Sequence, residues 1–137
     1  MRVNRTLVDN CEYLKSVWKE GVAMAERIIT IVIIAISAAP MIILGIVQYN
    51  SKEPVGFWSG KEPPKSQQVT DVKAYNRRHG VMWIVYGLGF FPGFAPVIIW
   101  GEEFALIAVA LFLIECIGGI FVMIAYHNKL NRRYLKE

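Results

Sequence analysis

The sequence predicts an all-α integral membrane protein with three transmembrane helices. The 137-residue chain is 55% hydrophobic and only 19% charged. Its mean hydropathy is +0.39, too apolar for an ordinary soluble domain of this size. Two long runs, Ile28 to Val47 and Val81 to Trp100, carry no charge, and a third, Phe104 to Tyr126, carries only Glu115. At about 1.5 Å per residue each run reaches roughly 30 Å, the thickness of the hydrocarbon core of a bilayer. The runs are apolar all round, whereas a helix of a soluble bundle keeps a polar face.

These runs divide a single membrane domain into an N-terminal segment 1–27, span one 28–47, a loop 48–79, span two 80–100, span three 104–126 and a basic tail 127–137. In the N-terminal segment Leu7, Cys11, Leu14, Trp18 and Val22 recur at helical spacing. That pattern fits an amphipathic helix lying on the membrane or on a partner. It equally fits a helix that runs straight into span one. Ser37-Ala38-Ala39 offers small residues of the kind found at signal-peptide cleavage sites. The run is longer than a signal core, acidic residues precede it, and Pro40 follows directly, so a retained span is expected. Cys11 and Cys116 fall in different environments and are not expected to bridge.

Basic residues set the expected orientation. The N-terminal segment holds five Lys and Arg, the loop six and the tail four. The Gly101-Glu102-Glu103 turn between spans two and three holds none. With three spans, loop and tail share a side, ten against five, which places both in the cytoplasm and the N-terminus outside.

The loop from Gln48 to Gln68 reads as irregular, with Pro54, Gly56, Gly60, Pro63 and Pro64 as breakers. Thr70 is the expected cap of a helix beginning at Asp71, which carries Val72, Tyr75, His79 and Met82 on one face into span two. Phe57 and Trp58 are expected to dip into the membrane interface while Lys52, Lys61 and Lys65 stay near anionic headgroups.

Gly56-Phe57-Trp58-Ser59, followed by Ala74-Tyr75-Asn76-Arg77-Arg78-His79-Gly80, resembles the loop of bacterial immunity proteins of the Sdp toxin type. There a Gly-aromatic-x-Thr turn leaves one span and an Ala-x-Asn-Arg-x-x-Gly stretch leads into the next. Here Ser59 replaces the Thr, Trp58 stands where a basic or polar residue is common, and the extra spans of longer immunity proteins are absent. The resemblance covers about a quarter of the chain. It implies a non-enzymatic bacterial inner-membrane protein that blocks a toxin or relays its presence. Gly56, Phe57, Trp58, Ser59, Ala74, Asn76, Arg77 and Gly80 would form its partner-binding loop.

Glu115 is the one charged residue of the three runs. A carboxylate near the bilayer centre costs at least about 2.5 kcal/mol, so it is expected to be protonated, paired or facing water. Pro92 and Pro96 each remove a backbone hydrogen bond from span two, which is therefore expected to be broken beside it. Counted from the cytoplasmic ends, Glu115 lies level with Phe91, and His79 level with His127. The first pairing suggests an ion or proton site, or a carboxyl bonded to a freed carbonyl. The second suggests two histidines that titrate together, share a metal, or act as interfacial caps.

No catalytic motif, zinc spacing or nucleic-acid groove is visible in the sequence, so no enzyme activity, cofactor, metal or nucleic-acid partner is expected. The leading expectation is a protein that binds another membrane component, either a membrane protein or a peptide toxin. The alternative is an ion or proton carrier assembled from several copies around Glu115, Pro92 and Pro96.

Overall fold

The computed structural model describes residues 5–57 and 62–136, with the side chains of 5–7 outside the description. It is all-α, with three helices long and apolar enough to cross a membrane. Helix α1 spans Arg5–Asn50, α2 Val72–Trp100 and α3 Ala105–Tyr134. Large apolar side chains lie exposed along all three, among them Ile36 on α1, Val85 on α2 and Leu106 and Phe121 on α3. In water such a surface would aggregate, and in a bilayer it is solvated.

α2 lies between the other two and forms the main interface with each. Its contact with α1 is close because two glycines meet. A Cβ on Gly45 would lie 2.6 Å from the Gly80 carbonyl, and one on Gly80 2.5 Å from the Gly45 carbonyl. Small residues let helix backbones approach in this way. Deeper in the membrane Ile34 and Ala38 of α1 are buried with Phe90 of α2, against Phe112 and Cys116 of α3. Cys11 and Cys116 are both free.

The N-terminal segment and span one are one helix of 46 residues, about 69 Å long at 1.5 Å per residue. The structure thus selects the second reading of the N-terminal segment. Leu14 and Trp18 are exposed on that extension.

Three other expectations are corrected. Thr70 is not the cap. The Asp71 carboxylate accepts from the Ala74 N–H at 2.9 Å, and the helix begins at Val72. Thr70 is drawn away because its Oγ1 donates to the Tyr134 carbonyl at 3.1 Å. The loop is less irregular than expected, since α1 continues to Asn50 and a 3-10 turn covers Ser66–Gln68. Finally, span two is not broken: α2 runs through both Pro92 and Pro96. A proline removes only its own rung, and membrane helices tolerate the loss where neighbouring helices pack around it.

Gly101 joins α2 to α3. Its φ of +109 is in the region that favours glycine, and its N–H donates to the Val97 carbonyl at 3.0 Å. At the opposite end of the molecule, loop and tail are stitched together. Thr70 N donates to the Tyr134 carbonyl at 2.8 Å, Lys136 N to the Gln68 carbonyl at 2.9 Å, and Val69 pairs with Leu135. Val69, Tyr75, Leu130 and Tyr134 are buried beneath this seam.

Candidate functional site

Two polar centres stand out, one under the loop and one at mid-membrane depth. The first is built from α2 and α3. His79 is fully buried, and its Nε2 lies 3.2 Å from His127 Nδ1. The two histidines therefore do come to one level. His127 Nε2 lies 2.9 Å from Asn131 Nδ2, and the Tyr75 hydroxyl donates to Asn131 Oδ1 at 3.1 Å. The result is a four-residue chain, Tyr75–Asn131–His127–His79. Sequence reading missed Tyr75 and Asn131 as members of this centre. Their signal was spacing: each stands four residues from one of the histidines, one helical turn away.

Phe57 closes the centre. It is buried rather than set in lipid, as its ring stacks on His127 at 4.6 Å and lies 5.8 Å from the Trp83 ring. Met82 and Met123 are buried in the same cluster. The interfacial expectation for Phe57 fails because three helix-borne rings offer this side chain a drier site than the headgroup layer does. Burying such a ring contributes about 1.5–3 kcal/mol. Trp58 and Ser59, expected beside it, lie outside the described residues.

The other loop residues also face inward. Asn76 is fully buried. Its Oδ1 accepts from Val55 N at 3.1 Å, while its Nδ2 donates to the carbonyls of Ser51 at 3.0 Å and Glu53 at 2.8 Å. One side chain thus fixes the chain as it leaves α1. The Gly56 carbonyl accepts from Gln48 Nε2 at 3.2 Å. Ala74 packs against the Val69 and Tyr75 cluster, and Gly80 sits in the glycine crossing. Arg77 is exposed, with its guanidinium 5.3 Å from the Tyr49 ring centroid. Among the described members of the expected loop, the exposed charge is that of Arg77.

The second centre is Glu115 on α3. Its carboxyl lies against two glycines of α2, in contact with Gly89 and 3.0 Å from the position a Cβ would take on Gly93. The level expected from residue counting is therefore correct, because these glycines bracket Phe91. Pro92 and Pro96 lie on the same helix but present no carbonyl that Glu115 bonds. Among the described residues the carboxyl has no hydrogen-bond partner. It lines a groove of about 580 Å³ between α2 and α3, with Val85, Tyr86, Ile114, Gly118 and Val122. Gly118 leaves open space there, while Gly119 lies under the Tyr86 ring.

No protein-family model, curated protein or solved structure matches this chain. Its function is therefore read from these two centres. The first holds together elements distant in sequence. The second presents one ionisable group to the side of the molecule, at a depth where water is scarce.

Proposed function

We propose that this chain is a membrane-embedded binding protein that takes another membrane component into the α2–α3 groove, with Glu115 as its polar contact. The observation that carries this reading is the Glu115 carboxyl, set in that groove with no hydrogen-bond partner among the described residues. A carboxyl at such depth costs at least about 2.5 kcal/mol to insert. A neighbouring helix with a hydrogen-bond donor or a basic side chain at the same level offsets that cost, and hydrogen bonds of this kind join helices in membranes. The open surface at Gly118 lets such a helix come close.

The loop resemblance suggests a peptide toxin as the partner, which would make the chain a bacterial immunity protein. The balance of basic residues supports a cytoplasmic loop and tail and an outside N-terminus. The inward-facing loop residues shift the proposed recognition surface away from the loop and into the membrane. The rival carrier reading uses the same Glu115. It finds less support because α2 is unbroken and lies between α1 and α3, so carriage would need several copies arranged around the groove.

The test is native mass spectrometry of the wild type, Glu115→Gln and Glu115→Ala after gentle extraction from the native membrane. The wild type is expected to hold a partner in fixed stoichiometry, Glu115→Gln to hold less and Glu115→Ala none. Equal retention by all three would overturn the reading. Proton flux through vesicles of the purified chain, abolished in Glu115→Gln, would establish the carrier instead.

A further inference from the structure

A cavity of about 380 Å³ opens between the end of α1 and the start of α2. It is distinct from the Glu115 groove, which lies between α2 and α3. Its size is within the roughly 300–1,000 Å³ of small-ligand sites. Three cations reach it from two elements: Lys52, just beyond α1, and Lys73 and Arg77, one turn apart on α2. Among the described residues no carboxylate lines it. The nearest acids in sequence are committed elsewhere. Glu53 Oε2 accepts from Ser66 Oγ at 2.6 Å, and the Asp71 carboxylate accepts from the Ala74 N–H. Among the described residues Lys52, Lys73 and Arg77 make no hydrogen bond or ion pair. Arg77 meets the ring of Tyr49, also a lining residue, through a cation–π contact, which leaves its N–H donors unused. Like charges one helical turn apart repel, and Lys52 adds a third to the pair on α2. A negatively charged ligand relieves that repulsion.

The depth of the cavity narrows the choice of ligand. Tyr49 stands two residues beyond the uncharged run of α1, and Arg77 four residues before that of α2. At 1.5 Å per residue these offsets are about 3 and 6 Å along the helices. The headgroup layer is roughly 5–7 Å deep on each side of the hydrocarbon core. Tyr49 also rests on the Gly45–Gly80 crossing, because a Cβ on Gly80 would lie 2.6 Å from its own Cβ. Just below the cavity the exposed side chains of Val47 on α1 and Val81 on α2 are apolar, as acyl chains require. A free anion uses only the cations. A phospholipid uses both the cations and this apolar surface. A headgroup that carries its own ammonium would bring a fourth positive charge, so the site favours an anionic lipid. Guanidinium holds phosphate oxygens through paired N–H donors, and lysine holds them as a point charge.

We propose that Lys52, Lys73 and Arg77 form a binding site for the phosphate of an anionic phospholipid, held at headgroup depth between α1 and α2. Basic pockets between membrane helices recognise anionic headgroups in this way. The bound lipid bridges the two helices beside their closest approach.

The test uses the full chain in mild detergent, titrated with phosphatidylglycerol or with phosphatidylcholine, and native mass spectrometry to read the lipid retained. One phosphatidylglycerol per chain is expected, held at least about ten-fold more tightly than phosphatidylcholine. In the Lys73→Gln, Arg77→Gln double variant its affinity should fall about 30-fold, and in Lys52→Gln about five-fold, for two cations and one lost beside an anionic headgroup. The control, Lys129→Gln with Arg132→Gln, removes the same charge from α3, outside the cavity, and should change affinity by less than about two-fold, because screening limits charges at a distance. Equal retention of the two lipids would overturn the proposal. So would an unchanged affinity in the site variants, or an equal loss in the control. Displacement of the lipid by inorganic phosphate at matched concentration would overturn the lipid assignment and make the cavity a site for soluble phosphate. The three substituted positions are exposed, and Lys52→Gln leaves both helices untouched if the double variant does not fold.

Discussion

The loop-and-tail end of the molecule and its mid-membrane level treat most of their polar groups in opposite ways, with Gln48 Oε1, His79 Nδ1 and Trp83 Nε1 as exceptions at the loop end. At the loop end, Asn76 makes three hydrogen bonds, Tyr75, Asn131 and the two histidines bond one another, and the tail backbone pairs with the loop. At mid-membrane, Glu115 sits against glycines with no hydrogen bond among the described residues. The difference separates two uses of polarity. Satisfied groups hold elements together and gain little from a partner. An unsatisfied carboxyl at depth costs stability, and a partner can relieve that cost.

Substitutions can break the comparison, and Asn76→Ala should have the largest effect. It removes three part-buried hydrogen bonds, to backbone groups of Ser51, Glu53 and Val55, for a loss of about 3 kcal/mol at roughly 1 kcal/mol per bond. Unfolding in mild detergent would show it. A folded and equally stable variant would mean that the clasp does not hold the loop. Next comes Gly80→Ala, whose Cβ meets the Gly45 carbonyl and Tyr49. It should force α1 and α2 apart and cost about 2 kcal/mol, in the range for overpacking. A matching fall in Tm would sharpen the case for a backbone-to-backbone crossing. The smallest effect on stability belongs to Glu115→Leu. It should be neutral or stabilising, by up to about 2 kcal/mol, because it removes a costly buried carboxyl. Destabilisation by Glu115→Leu would show that the carboxyl has an internal structural role after all.

Much of the fold was legible because lipid imposes long uncharged runs, and these appear directly in the sequence. Counting along helices of known rise also brought His79 to His127 and Glu115 to the Gly89–Gly93 level. Local rules failed where distant segments intervened. Thr70 is a good cap in isolation, but the tail carbonyl of Tyr134, sixty-four residues on, takes its hydroxyl. Phe57 reads as interfacial because nothing near it in sequence is apolar enough to bury it. Its partners lie on α2 and α3. The loop motif around Asn76 and Gly80 reads as recognition, and in the fold Asn76 also holds the segment that leaves α1 while Gly80 sits in the crossing of α1 and α2. The continuity of α2 was hidden for a different reason. The cost of a proline depends on what packs around the missing rung, and sequence does not display that.

The most direct test is photo-crosslinking within native membranes from two positions, Val122 in the α2–α3 groove and Ile36 on the lipid-exposed surface of α1. Val122 should give one protein or peptide adduct of defined mass, lost in Glu115→Ala, while Ile36 should give lipid alone. The same adducts from both positions, or a Val122 adduct that survives Glu115→Ala, would contradict a groove built around Glu115.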